Sequence, residues 1–317
     1  MPDSVQYVKD ISIFSPRTSE AVELHTLNIY FIIASSAILI LVIGLLIFIS
    51  FKFRARQKNQ AEPKQIYSNR LLEIFMVGVP FLMVSYFFYL TIKTMKDTES
   101  QVLNEKPTVV ITGKQWFWDV HYPNGAVTAN EIHLPVNERV LLQLKAADVI
   151  HDWWVPSFGA KMDMIPGVTN YLWLRILKPG TYVGACSEFC GRQHANMRIK
   201  VIAQTRKDYD KWLAENAKPA IISPDENIKK GELLFSKNSC GSCHSIRGTG
   251  ANGKVGPDLT HIASRGTLLS GLVENNKENL TRFISNPQEV KPGVNMPRFI
   301  YAKDSIAVLV DYLSSLK

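Results

Sequence analysis

Residues 26–51 contain no charged side chain, and no other stretch restricts the fold of this chain so severely. As a helix rising 1.5 Å per residue, such a run is long enough to cross a hydrocarbon core of roughly 30 Å with some tilt. A second uncharged run, 74–92, contains Pro80, which membrane helices tolerate better than soluble ones. Between the runs lie Lys52, Arg54, Arg56, Lys58, Lys64 and Arg70, opposed within the loop by Glu62, with Glu73 at the edge of the second run. The positive-inside rule therefore puts that loop in the cytoplasm and both termini outside. Residues 26–97 are expected as a transmembrane helical hairpin in a lipid bilayer. Residues 1–25 are expected as an exported N-terminal segment. They are charged at Asp3, Lys9, Asp10, Arg17, Glu20 and Glu23 and lack the apolar core of a cleavable signal, so either none exists or it has been removed. Glu73 stands at the edge of the second span, as an interfacial carboxylate among headgroups or as a functional ionisable group at membrane depth.

After Asp97 the pattern changes to short runs rich in β-branched and aromatic residues, at 108–112, 115–122, 139–145, 171–177, 181–185 and 197–203. Turn residues such as Pro123-Asn124-Gly125 and Lys178-Pro179-Gly180 separate them, which predicts an antiparallel all-β sandwich or barrel; a cupredoxin-like domain over 98–215 fits. A short helix is expected at 208–215 and a linker at 216–222. Ser223-Pro224-Asp225-Glu226 then resembles a helix start, with a Ser cap, Pro at the first helical position and Glu at the third. An all-α second domain is expected over 223–317. Its first helix should run on through Phe235 to Cys240, and its last should begin near Asp304 with Ile306, Leu309, Val310 and Leu313 on one face. The net charge of +8 is spread almost evenly over these parts, which excludes a nucleic-acid binder with its concentrated basic face.

The four cysteines form two close pairs, Cys186 with Cys190 and Cys240 with Cys243. Outside the membrane such thiols are oxidised, metallated or covalently modified. The first pair sits in a loop with His194 and Met197, and Cys190, His194 and Met197 are the ligand types of a blue-copper centre. The additional thiol of Cys186 would let two thiolates bridge a pair of metal ions. His151, surrounded by aromatic and β-branched residues, is the candidate for a second imidazole. A four-coordinate zinc site of Cys186, Cys190, His151 and His194 and a disulfide remain open on spacing alone. Trp116, Phe117 and Trp118 form an aromatic cluster that is either a packed strand pair or, if one indole is exposed near the metal, a short electron path.

Cys240-Gly241-Ser242-Cys243-His244 is the attachment signature of c-type haem, with two thiols for the vinyl groups and an adjacent imidazole for the iron. Met296 follows in Val294-Asn295-Met296-Pro297; methionine opposite histidine raises the haem potential, as suits an electron carrier. His261 is the alternative second ligand.

Cys-Ser-Glu-x-Cys-Gly-x-x-His-x-x-Met, with His151-Asp152-Trp153-Trp154-Val155-Pro156-Ser157 and Gln115-Trp116-Phe117-Trp118 upstream and a two-span hairpin in front, resembles subunit II of haem-copper cytochrome c oxidases. The segment carrying Gly256-Pro257-Asp258-Leu259-Thr260-His261 and Asn286-Pro287-Gln288-Glu289 resembles the cytochrome c that is fused to some bacterial forms. This resemblance implies a dinuclear copper A centre held by His151, Cys186, Cys190, His194, Met197 and the backbone carbonyl of Glu188. The Glu188 side chain would reach a magnesium ion shared with subunit I, electrons would enter through Trp116, and Glu73 would lie near the mouth of a proton channel in subunit I. It also implies haem c on Cys240 and Cys243 with His244 and Met296 as axial ligands. The expected place is the bacterial inner membrane, with both redox domains on the outer side. Expected partners are subunit I and the other oxidase subunits, together with an upstream c-type cytochrome or quinol-oxidising complex, in or out of a supercomplex. Lys114 departs from the family, which often has His at that position. A quinol-oxidase-type subunit would lack the copper ligands. A free-standing membrane cytochrome with a zinc or disulfide domain is the competing reading. A linked haem module meets its acceptor at millimolar effective concentration, so electrons are expected to pass from haem to copper within one chain without acidic steering of a separate donor.

Overall fold

The computed structural model describes residues 12–54, 65–98 and 105–317, so Arg56, Lys58, Glu62 and Lys64 of the basic loop, with residues 1–11 of the N-terminal segment, lie outside the described residues. The chain divides into two units, Val22–Ser100 and the remainder.

The first unit is formed by helices α1 (Ser19–Lys52) and α2 (Arg70–Thr98). Both are long and apolar enough to cross a membrane, and they present apolar side chains all round, as lipid contact requires. Pro80 lies within α2 without ending it. The rings of Phe31 and Phe87 stack at 4.2 Å. At the start of α2, Asn69 Oδ1 accepts from Leu72 N while Glu73 Oε1 accepts from Asn69 N. These reciprocal bonds satisfy donors that a helix N-terminus leaves open.

In the second unit, strands β1 (Val109–Lys114), β2 (Phe117–His121), β3 (Val127–Ala129), β4 (Glu131–Pro135), β5 (Val140–Ala146), β6 (His151–Trp154), β7 (Lys161–Met164), β8 (Asn170–Leu174), β9 (Gly180–Cys186) and β10 (Arg198–Gln204) form a cupredoxin-like sandwich. One sheet has the order β3-β2-β1-β5-β8 and the other β4-β10-β9-β6-β7. The expected all-antiparallel arrangement is corrected at two places: β1 pairs in parallel with β5, and β10 in parallel with β4. The chain leaves the first sheet after β3, forms β4 in the second and returns as β5. Such a crossover allows parallel neighbours where a hairpin does not. Trp118, Trp153, Phe158, Leu142 and Leu144 are fully buried between the sheets, each contributing on the order of 1.5–3 kcal/mol of transfer free energy. Helix α3 (Arg206–Asn216) is capped by Thr205, and its Trp212 stacks flat on His133 of β4.

The remaining residues form the all-α cytochrome-type domain: α4 (Glu226–Lys237), α5 (Cys240–Cys243), α6 (Lys277–Ser285), α7 (Pro287–Val290) and α8 (Lys303–Ser315). The expected cap is corrected from Ser223 to Asp225, whose carboxylate accepts from Asn227 N and Ile228 N. An acidic side chain next to two open amides satisfies both and favours the N-terminal end of the dipole. The expected continuous helix through Phe235 to the cysteines is also corrected, because α4 ends at Lys237 and Ser239 takes a left-handed conformation, φ 59°. That residue turns the chain, so the Cys-x-x-Cys segment starts a new helical turn. Helices α4 and α8 cross at Gly231, where a Cβ would lie 2.5 Å from both Tyr312 Cβ and the Val308 carbonyl. Ile306, Leu309, Val310 and Leu313 of α8 are buried, as its period predicts.

The helical domain is hydrogen-bonded to the sandwich. Glu131 of β4 accepts from Thr267 N and Oγ1 at 2.9 Å each, from Gly266 N at 3.2 Å, and from Lys200 Nζ at 2.9 Å. Within the stretch expected as a linker, Arg247 donates to the carbonyls of Asn216 and Ala217 and, across the sandwich, to that of Gly125.

Candidate metal centre

The loop joining β9 to β10 begins at Cys186 and ends at Met197, and its neck is closed by Cys186 N donating to Met197 O. Since β6 pairs with β9 through Trp153 and Cys186, His151 at the head of β6 is brought beside the loop. Cys186 Sγ lies 3.8 Å from Cys190 Sγ, 3.9 Å from His151 Nδ1 and 3.2 Å from the Glu188 carbonyl. Cys190 Sγ lies 3.7 Å from His194 Nδ1 and 3.8 Å from Met197 Sδ. All five predicted side-chain donors are thus gathered; His151, Cys186, Cys190 and Met197 are buried and His194 is half-buried.

The sulfur separation is far from the roughly 2.05 Å of a disulfide. It leaves two thiols that cannot easily ionise together. The hydrogen bond shared with Cys190, followed by those of His151 and the backbone, pulls the Cys186 thiol well below its ordinary value, whereas neighbouring Cys186 and burial push Cys190 far up. A bound cation removes this conflict by holding both as thiolates. Five side-chain donors exceed a four-coordinate zinc shell, and a thioether is a ligand for copper rather than zinc. The donor set therefore fits copper.

Asp148 was not legible as part of the site. Its Oδ1 lies 2.9 Å from His151 Nε2, and its Oδ2 accepts from Gln115 N at 2.6 Å. Burial draws the His151 pKa down, but the bonds to Cys186 and Asp148 outweigh it and raise the pKa overall. A carboxylate on the far nitrogen fixes the ring and leaves Nδ1 directed at the thiols. Gly113 of β1 also belongs here, since a Cβ on it would meet the His151 ring at 2.8 Å. Glu188 keeps its carboxylate in its own loop, where it accepts from Phe189 N.

Trp116 lies against the metal loop, with Nε1 donating to the Cys190 carbonyl at 2.9 Å. Of the two readings left open for the aromatic cluster, a packed strand pair describes Trp116, which is only 7 % exposed. Its carbonyl accepts from Ser270 Oγ and Lys291 Nζ of the helical domain, which covers this face. Phe117 and Trp118 are also buried, and the Trp118 ring meets His151 edge-on at 6.0 Å.

In the helical domain His244 Nδ1 donates to the Pro257 carbonyl at 2.8 Å, which leaves Nε2 with the lone pair an iron ligand needs. Burial lowers the His244 pKa. Gly256 permits this approach, since a Cβ there would be 2.5 Å from the imidazole. Cys240 and Cys243 are unpaired and half-buried, while Val255 is 69 % and Ile300 96 % exposed, apolar surface of the kind a porphyrin covers. The residues thus fit haem c. Met296 is half-buried, and the preceding turn is held by Gln288, which donates to the carbonyls of Val294 and Met296 and accepts from Gly293 N. His261 is buried, with Nε2 3.1 Å from the Lys218 carbonyl, and so serves the contact between the domains.

The arrangement defines a membrane-anchored redox protein that joins a thiolate-rich copper-type site to a c-type cytochrome. The family model for "Cytochrome C oxidase subunit II, periplasmic domain" matches residues 126–204, and that for "Cytochrome c" matches 228–317. Cytochrome c oxidase subunit 2 of Alkalihalophilus pseudofirmus is 33 % identical over 98 % of this chain and 92 % of its own length. That of Bacillus sp. strain PS3 is 32 % identical over 84 % of this chain and 80 % of its length. The solved periplasmic domain of oxidase subunit II of Bradyrhizobium japonicum is 34 % identical, covering 37 % of this chain and 96 % of the solved one, with a TM-score of 0.34. The chain belongs to the cytochrome c oxidase subunit 2 family and carries a cytochrome c domain at its C-terminal end. It is an electron-transfer subunit of a haem-copper oxidase, an oxidoreductase, and binding of copper A and haem c follows from the family.

Proposed function

We propose that electrons pass within this chain from haem c to a dinuclear copper A centre, and from there to the catalytic subunit that reduces dioxygen with coupled proton pumping. The two bound groups supply one-electron couples; the protein's part is to hold, space and insulate them. In this reading His151, Cys186, Cys190, His194, Met197 and the Glu188 carbonyl hold the copper pair. Cys240 and Cys243 would attach the haem, and His244 and Met296 would ligate its iron. Trp116 is the residue through which electrons reach the copper loop. The observation that carries the reading is the position of Trp116, whose indole binds the Cys190 carbonyl while its own carbonyl binds two side chains of the haem domain.

The same reading assigns the exposed Glu188 carboxylate to a magnesium ion shared with subunit I, and Glu73 to the mouth of a proton channel there. It divides the chain as 1–25, 26–97, 98–215, 216–222 and 223–317. It places the chain in the bacterial inner membrane, with both redox domains on the outer side, beside subunit I and the other oxidase subunits. An upstream c-type cytochrome or quinol-oxidising complex supplies the electrons, free or in a supercomplex. Metal analysis with intact mass on the purified complex tests the core of the proposal, with two coppers and one covalent haem expected for this chain. One zinc, or no thioether-linked haem, refutes it.

A further inference from the structure

Lys291 follows α7 in the haem domain and is 2 % exposed. Its Nζ donates to the Trp116 carbonyl at 2.9 Å and to Ser270 Oγ at 3.3 Å, and Ser270 Oγ itself donates to the same carbonyl at 2.8 Å. Neither partner carries a charge. A buried ammonium held, among the described residues, only by a carbonyl and a hydroxyl is disfavoured by desolvation, and one neutral donor, Ser270, already satisfies the Trp116 carbonyl. The position becomes intelligible when its surroundings are traced further. Trp116 Nε1 and Gln115 Nε2 both donate to the Cys190 carbonyl. Asn295, next to Met296, donates to the Gln115 carbonyl at 3.2 Å. The turn between Lys291 and Met296 is therefore bonded to the residues that hold the backbone of a copper thiolate. Burial lowers the Lys291 pKa to about 8.

Resting on the proposed function, we infer that Lys291 is a positioning residue whose buried charge, carried by the haem domain, draws the electron from haem to copper. In the transfer the haem iron loses one electron and the copper pair gains it, with no bond or proton changing hands, so the copper site becomes more negative by one charge. A fixed cation nearby stabilises the reduced site and raises its potential. A unit charge acting over roughly 10 Å at an effective dielectric near 20 shifts an equilibrium about tenfold.

The test uses the full oxidase complex with Lys291→Met, close in volume but uncharged, and with Ser270→Ala, which removes a donor and keeps the charge. Haem and copper absorption bands report that both sites are loaded. Redox titration of the copper band and transient haem reoxidation are then read. For Lys291→Met, the haem-to-copper equilibrium constant should fall about tenfold, or 59 mV for one electron, with the copper potential dropping by more than the haem potential. Ser270→Ala should leave the copper potential in place. An unshifted copper potential in Lys291→Met, or an equal shift in Ser270→Ala, overturns the inference. Absence of the copper band or of haem reoxidation in the unaltered complex overturns the proposed function, and the inference with it.

Discussion

Gly113 offers a way to disturb copper binding without removing a ligand. It lies in β1, paired with Trp118 of β2 and Ala146 of β5, and its backbone is in a region open to any residue. A Cβ added there would sit 2.8 Å from His151 Cδ2 and 3.0 Å from Cγ, about 0.7 Å inside the ordinary carbon–carbon separation of roughly 3.5 Å. The ring cannot rotate away cheaply, because Asp148 holds Nε2 on one side and Trp118 borders it on another. Overpacking of this kind costs about 1–3 kcal/mol, and the alanine returns on the order of 0.5–1 kcal/mol by restricting the unfolded chain. Net stability should therefore fall by at most about 2.5 kcal/mol, by the difference of those two ranges. Displacing His151 from Asp148 and the thiols should lower copper affinity about 10–100-fold, as loss of a supporting partner does. Competition of the loaded oxidase against a copper chelator measures the affinity, and thermal unfolding measures the stability. Copper affinity within twofold of the unaltered protein would show that the His151 ring is free to move and that the reasoning is wrong.

The contact at Glu131 should weaken in acid. Burial raises its pKa, but the charge of Lys200 and the bonds from Lys200, Thr267 and Gly266 outweigh that and bring it below the ordinary 4.5. Its contribution is therefore complete above pH 4.5 and is lost as the pH falls through the lower folded value; amide exchange at Thr267 should rise in that window, and Glu131→Gln should abolish the pH dependence. In the haem domain, Gly231→Ala would force α4 away from Tyr312 and Val308. It should lower domain stability by at least about 1–3 kcal/mol, read as a lower melting temperature with the haem spectrum retained at 25 °C.

Much of the candidate metal centre was legible because four of its five side-chain donors fall within one short loop, where spacing alone brings them together. His151 was legible from its neighbours, since a histidine among aromatic and β-branched residues belongs at a buried strand end. The parallel partners of β1 and β10 were hidden for a different reason. All five positions of β4 are buried, so the alternation that marks a half-exposed strand is absent. Burial of Trp116 depends on Ser270 and Lys291, more than 150 residues further along the chain, and no local pattern encodes such a contact. The break at Ser239 rests on one residue with a left-handed backbone, a conformation that serine seldom adopts and whose presence its type does not announce.

The bonds that fasten the helical domain to the sandwich also change the kinetic order of the reaction across them. Two separate proteins must find each other, and each meeting costs translational and rotational freedom worth on the order of 4–15 kcal/mol. Here Glu131, Arg247 and Trp116 already hold the partners face to face. On the proposed path, transfer between them would be a first-order event, with no encounter to be slowed by dilution and little to be screened by salt. Concentration and ionic strength would then govern only the earlier step, in which the haem is reduced from outside.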